Sequence, residues 1–110
     1  MVIYRSISED EKNDLEVKGE FAAFPGAYEG KLFTDSYKSA STFGRNFFPY
    51  DSRPFYIVEV AINEIFSRNL YYDNFDEGLD VGITIAVDRD ILKDFNSNMT
   101  FTILTHASTE

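Results

Sequence analysis

The chain has no cysteine in 110 residues. That excludes disulfide staples, a thiolate nucleophile and cysteine-ligated zinc, so the core must carry stability unaided. Histidine occurs once, at His106. A histidine-rich metal site is therefore excluded, and a Ser-His-Asp triad would have to use this one base at the end of a terminal strand; His106 reads as structural or exposed. Basic residues are scarce, 10 Lys and Arg against 19 Asp and Glu, for a formal net charge of −9. Such a surface repels phosphate backbones and argues against direct nucleic-acid binding. No apolar run approaches the about 20 residues of a membrane-spanning helix. The opening Met1-Val2-Ile3-Tyr4-Arg5 lacks the basic start and apolar stretch of a secretion signal. A cytoplasmic protein, or a domain delivered by other machinery, is the expectation.

What is present is enough for one core. The chain is 44% hydrophobic, with 11 Phe and 7 Tyr, and its length sets the expectation of one domain. The acidity is uneven: residues 1–45 hold 8 acidic and 6 basic side chains, residues 46–110 hold 11 and 4. Solubility accounts for this charge, and a surface built to cover a basic partner is the sharper alternative.

Residues 2–5 are β-branched and aromatic and read as an opening strand. Ser8 followed by Glu11 is a capping-box pattern, predicting a helix over about 9–17 that ends at Gly19 and buries a narrow stripe of Leu15 and Val17. Residues 21–27 form an apolar loop with a Pro25-Gly26 turn. Residues 31–34 read as a second strand, and Asp35 or Ser36 caps a helix reaching Phe43 and closing at Gly44. Tyr37, Ala40 and Phe43 lie near one face of that helix, expected against the sheet. Residues 55–62 are the strongest strand, apolar on both faces and placed centrally. Glu59 interrupts it, either as an exposed carboxylate or as one facing a cleft. Residues 63–69 stay open between a helical turn and an irregular link. Residues 81–87 read as a strand, Asp88 caps a short helix with Ile91, Leu92 and Phe95, and residues 100–105 read as the last strand. Strands outnumber helices and the helices come early, so the class is α+β, a single domain with a mixed or antiparallel sheet.

Two segments carry a family likeness: Ile3-Tyr4-Arg5-Ser6-Ile7-Ser8, and Glu29-Gly30-Lys31-Leu32-Phe33-Thr34-Asp35-Ser36 running into Tyr37-Lys38-Ser39-Ala40-Ser41-Thr42-Phe43-Gly44. Each reads as a strand feeding a helix, and together they resemble the first half of the ADP-ribosyltransferase fold. The resemblance implies that Arg5 holds NAD, that Phe33 stacks on nicotinamide, and that Thr34 and Ser36 fall where one branch of the family has hydroxyls orienting the Arg and the ribose. It also implies a pocket wall built from the second strand and its following helix. An arginine there can make paired hydrogen bonds to phosphate or ribose, and Ser36 equally reads as a plain helix cap. The family's third site residue is a catalytic Glu near the start of a late strand. Here that strand opens Asp80-Val81-Gly82-Ile83-Thr84 without a Glu, which leaves Glu77 and Asp80 as the carboxylates for the role. Similar short modules look like the C-terminal domains of bacterial polymorphic toxins.

The acidic stretch 73–80 does not read as a twelve-residue calcium loop: with Asp73 first, Gly78 falls correctly at six, yet Phe75 takes position three and Thr84 position twelve. No metal site is expected. Two functions remain. One is an NAD-binding, ADP-ribosyltransferase-like toxin or effector domain. The other is a non-enzymatic acidic binding protein, an immunity or anti-defence factor that blocks a basic or nucleotide-handling partner.

Overall fold

Alternation along the first strand decides how the sheet is covered. In β1 (Val2–Ile7), Ile3 and Ile7 are fully buried on one face, while Tyr4 and Ser6 take the other. We refer to these as the Ile3 face and the Tyr4 face. The computed structural model describes residues 1–22, 31–47, 55–74 and 83–104, and all that follows concerns those residues.

Helix α1 (Glu9–Lys18) begins at Ser8, whose Oγ accepts from the Glu11 N–H at 3.2 Å, and ends at Gly19, in the left-handed region at φ 72°. Its capping box is only half realised, because the Glu11 side chain turns inward. The helix buries Glu11 and Leu15, one turn apart, while Val17, expected in the core, is 85% exposed. β2 (Lys31–Thr34) follows, then α2 (Tyr37–Phe47). Ser36 Oγ accepts from the Ser39 N–H at 3.0 Å, as a helix cap does. Gly44 does not end α2 as its sequence suggests; the helix continues past it, and the glycine serves close packing instead. A Cβ built on Gly44 would overlap the buried Phe55 ring. On the face expected to be buried, Ala40 is fully buried but Tyr37 is exposed; the Phe43 side chain lies outside the described residues.

β3 (Tyr56–Ile62) is followed by α3 (Glu64–Ser67), β4 (Tyr71–Asn74) and β5 (Ile83–Val87). The region left open at 63–69 is thus a single helical turn, capped by Asn63 Oδ1 on the Ile65 N–H at 2.8 Å. A 3-10 turn (Arg89–Ile91) then leads into α4 (Leu92–Ser97) and β6 (Met99–Leu104). Asp88 holds the cap position there without a side-chain hydrogen bond.

The strands form one six-stranded sheet in the order β4-β5-β2-β1-β3-β6, with every neighbouring pair antiparallel. The class is α+β. β3 is an interior strand, as its doubly apolar sequence demands, but the middle of the sheet is β2–β1, and β3 lies one strand from the edge. The main core covers the Ile3 face, where Leu15, Phe33, Val58, Leu92 and Phe95 join it. Phe21 packs edge-on against Phe33, Phe95 and Phe101, and Asn96 clamps its backbone with two 2.8 Å hydrogen bonds. On the Tyr4 face, Ala40 of α2 packs on Phe55 and Ile57 in a smaller cluster. Burying a side chain of this kind stabilises by about 1.5–3 kcal/mol, so the two faces unequally anchor the fold.

Candidate functional site

The register of the sheet gathers polar residues that lie far apart in sequence. Tyr4 stands opposite Thr34 on β2 and Glu59 on β3. Thr34 stands opposite Thr84 on β5, Thr84 opposite Asp73 on β4, and Glu59 opposite Thr102 on β6. One row of polar side chains, Thr84, Thr34, Tyr4, Glu59 and Thr102, therefore crosses five strands on the Tyr4 face. Part of it is satisfied internally. The Tyr4 hydroxyl donates to Glu59 Oε2 at 3.0 Å, and Thr34 Oγ1 donates to the Ser36 carbonyl at 3.1 Å. The Glu59 hydrogen bond, together with burial and the Glu59 charge, raises the Tyr4 phenol above its ordinary pKa of 10.0. Glu59 is half-buried and accepts from Tyr4, and it is not among the residues that line the hollow beside this row.

Between this row and α2 lies a small, shallow hollow, lined by Tyr4, Ser6, Leu32, Thr34, Ala40 and Thr84. Arg5 and Phe33 also border it, but strand alternation sends their side chains to the Ile3 face. Ser6 and Thr84 are each more than nine-tenths buried, and their hydroxyls find no hydrogen-bond partner. A buried hydroxyl left unmatched costs about 1–3 kcal/mol, and native proteins keep few of them. Two such hydroxyls at one hollow make it the candidate site among the described residues.

The Ile3 face holds a different polar cluster. Arg5 Nε donates to Glu11 Oε2 at 2.8 Å, Nη2 to Glu11 Oε1 at 2.9 Å, and Nη1 to the Leu32 carbonyl at 2.9 Å. Lys31 Nζ lies 3.7 Å from Glu11 Oε2. Burial pushes the Glu11 carboxyl up, but hydrogen bonds and charge from Arg5 and Lys31 outweigh it and hold the carboxyl below its ordinary value. Burial is the largest influence on Lys31 and pushes its ammonium down.

These placements divide the residues expected from sequence. Arg5 is engaged with Glu11 on the face opposite the hollow. The Phe33 ring is fully buried, with its centroid 5.4 Å from that of Phe21 and 5.3 Å from that of Phe95. Thr34 reaches the hollow wall, and Ser36 caps α2 beside it. Glu77 and Asp80 lie outside the described residues, as does His106. Ser6, Thr84 and Tyr4 are the residues that sequence reasoning missed. Their only signal was polar residues interrupting strands otherwise rich in apolar ones, which gains meaning only once the register is known. Among the described residues, no three His, Asp or Glu side chains gather as metal ligands do, and no helix is long and apolar enough to cross a membrane. No family model, no curated protein and no solved structure matches the chain.

Proposed function

We propose that the chain is an NAD-binding domain of ADP-ribosyltransferase-like kind, a toxin or effector module, with the hollow between β1, β2, β5 and α2 as its ligand site. The observation that carries this reading is the pair of buried, unpartnered hydroxyls of Ser6 and Thr84 at that hollow. Its place also supports the reading, because the second strand and its following helix wall it, as the sequence resemblance implies for nicotinamide. Arg5 then acts by position: its fork ties β1 to α1 and to the β2 backbone, and so holds the strands that floor the site. Thr34 and Ser36 brace the corner where β2 turns into α2. NAD supplies a glycosidic bond whose cleavage develops positive charge on the ribose. The chain's part is to hold an anion near that charge. Glu77 and Asp80 are the carboxylates proposed for it, and Glu59 lies on the same sheet face as the hollow. Calorimetric titration with NAD and with ADP-ribose, followed by an assay for released nicotinamide, tests the reading. Binding with turnover supports a transferase or NAD-cleaving enzyme, and binding alone supports a nucleotide-binding role. Failure of both ligands to bind overturns it.

A second reading has its own observation. The bidentate pairing of Arg5 with Glu11 takes up the fork that would grip a phosphate, and α1 presents exposed Glu9, Asp10 and Glu16 to solvent. This favours a non-enzymatic acidic protein that covers a basic partner. Capture of that partner would weaken with salt and with charge reversal at Glu9, Asp10 and Glu16.

A further inference from the structure

The two outer strands of the sheet are not alike. β4 is four residues long and carries Asp73, a charge of the kind that keeps sheet edges from pairing. β6 runs for six residues, Met99-Thr100-Phe101-Thr102-Ile103-Leu104, with neither charge nor proline, and among the described residues nothing pairs with its outer edge. It lies inside the longest stretch of the chain without Asp, Glu, Lys or Arg, the 15 residues 95–109; the next longest is 8 residues, at 21–28. The ladder fixes which backbone groups face outward. Ile62 exchanges both of its backbone hydrogen bonds with Met1, on the β1 side, and Asn63 donates to the Asn98 carbonyl, on the β6 side. Antiparallel alternation then turns the backbone groups of Thr100, Thr102 and Leu104 inward to β3, and leaves the N–H and C=O of Met99, Phe101 and Ile103 pointing away from the sheet.

Such an edge is complementary to itself. With a two-fold axis at Phe101, a second β6 lies antiparallel to the first: Phe101 stands opposite its own counterpart, Met99 opposite Ile103, and Thr100 opposite Thr102. In that one alignment every outward-facing backbone group meets a partner, apolar side chains meet apolar ones, and threonine meets threonine. Met99, Phe101 and Ile103 are only half-buried where they pack on the main core, so a second strand extends that core across the seam. A foreign strand would have to bring this pattern, whereas a second copy already has it. Charge decides where two copies can meet, because chains of net charge −9 repel each other. The carboxylate on the neighbouring strand is Glu59, opposite Thr102 and one strand in. Across the seam two copies of Glu59 stand three strand spacings apart, about 14 Å, beyond the about 8 Å screening length of physiological salt. We propose that β6 pairs with β6 of a second copy of this chain, joining two six-stranded sheets into one. Pairing there does not depend on the hollow, which lies on the β5-β2-β1 side of the sheet.

Sedimentation equilibrium of the full chain, from micromolar to millimolar concentration, tests this. The mass is expected to rise from 12.6 kDa to twice that value, and to do so more readily as added salt screens the repulsion between copies. Amide hydrogen exchange on the same samples is expected to show Thr100 and Thr102 protected at every concentration, and Phe101 and Ile103 protected only where the dimer forms. Two variants probe the seam. Ile103→Pro removes an outward N–H and leaves the β3 ladder whole. Thr100→Lys combined with Thr102→Lys sets like charges opposite one another and alters only exposed side chains, so it reports on pairing even where the proline variant fails to fold. Each is expected to weaken dimerisation about tenfold or more. A mass of 12.6 kDa at every concentration overturns the proposal. So does a dimer that the lysine variant leaves at full strength, which would put the interface elsewhere. Protection of the Phe101 and Ile103 amides in the monomer overturns it as well, because another segment of the same chain then covers the edge, and open-ended assemblies in place of a dimer overturn the two-fold pairing.

Discussion

Arg5 grips both carboxylate oxygens of Glu11, at 2.8 and 2.9 Å, and so fastens α1 to the first strand of the sheet. The pair retains side-chain exposures of only 18% and 11%. Removing one partner from a buried pair costs about 3–5 kcal/mol, because the other charge is stranded; an exposed pair is worth about 0–1 kcal/mol. Arg5→Ala is expected to lower unfolding free energy by about 3 kcal/mol in urea titration. A loss below about 1 kcal/mol would place the pair with surface bridges and remove its anchoring role.

The same pair sets an acid limit. Glu11 is held below its ordinary value of 4.5, so the unfolded chain binds its proton more readily than the folded one. The stability this contributes is present above about pH 4.5 and is lost as pH falls through the lowered folded value. Glu11→Gln is expected to flatten the acid limb of a stability-versus-pH curve while leaving its alkaline limb in place. Parallel acid limbs in the two proteins would refute the assignment.

At the other end of the scale, the Tyr4 phenol is raised by its bond to Glu59. A raised folded pKa means that this contribution is complete below about pH 10 and disappears as pH climbs through the higher folded value. Ultraviolet titration at tyrosinate wavelengths should show a late-ionising contribution from Tyr4 in the wild type. In Glu59→Gln that late transition should move towards 10.0, and an unmoved titration would contradict the geometry.

Gly44 and Gly19 should resist substitution for different reasons. Alanine at Gly44 gains helix propensity of about 1 kcal/mol, but its methyl group meets the Phe55 ring. Overpacking of a core costs about 1–3 kcal/mol, so Gly44→Ala is expected to be net destabilising, and Phe55→Leu in the same chain to recover part of the loss. At Gly19 there is open space, and the cost comes from φ 72°, about 1–2 kcal/mol for a residue with a Cβ. Thermal melts of the three variants separate the mechanisms. A partner change at Phe55 that rescues nothing would show that crowding is not the cause at Gly44.

Much of the architecture was legible in local chemistry. Ser8 and Gly19 bracket α1, Ser36 caps α2, and the β-branched run at 56–62 forms an interior strand, because each of these signals acts over a few residues. What local chemistry cannot supply is partnership. Glu11 reads as a capping-box residue, yet its carboxylate serves Arg5 and Lys31, since a buried charge on one strand is worth more to it than a second cap. Val17 reads as core because it is apolar, but α1 docks through Glu11 and Leu15 and leaves it outside. Gly44 reads as a stop because glycine ends many helices, whereas here the approach of Phe55 requires it. The candidate site was the least legible part. Tyr4, Thr34, Glu59 and Thr84 come from four strands, and nothing in any one segment announces that antiparallel pairing will set them in a single row.

That strand order also bears on synthesis. β1 comes first in the chain, yet its two neighbours are β2 at Lys31–Thr34 and β3 at Tyr56–Ile62. A ribosome adding about 5–20 residues per second delivers β3 only several seconds after β1. Until then Ile3 and Ile7, which end fully buried, have half of their sheet missing, and non-local pairings of this kind close slowly even once the whole chain is present. A nascent form of this chain is therefore sticky along β1, and it is there that a chaperone would find its foothold.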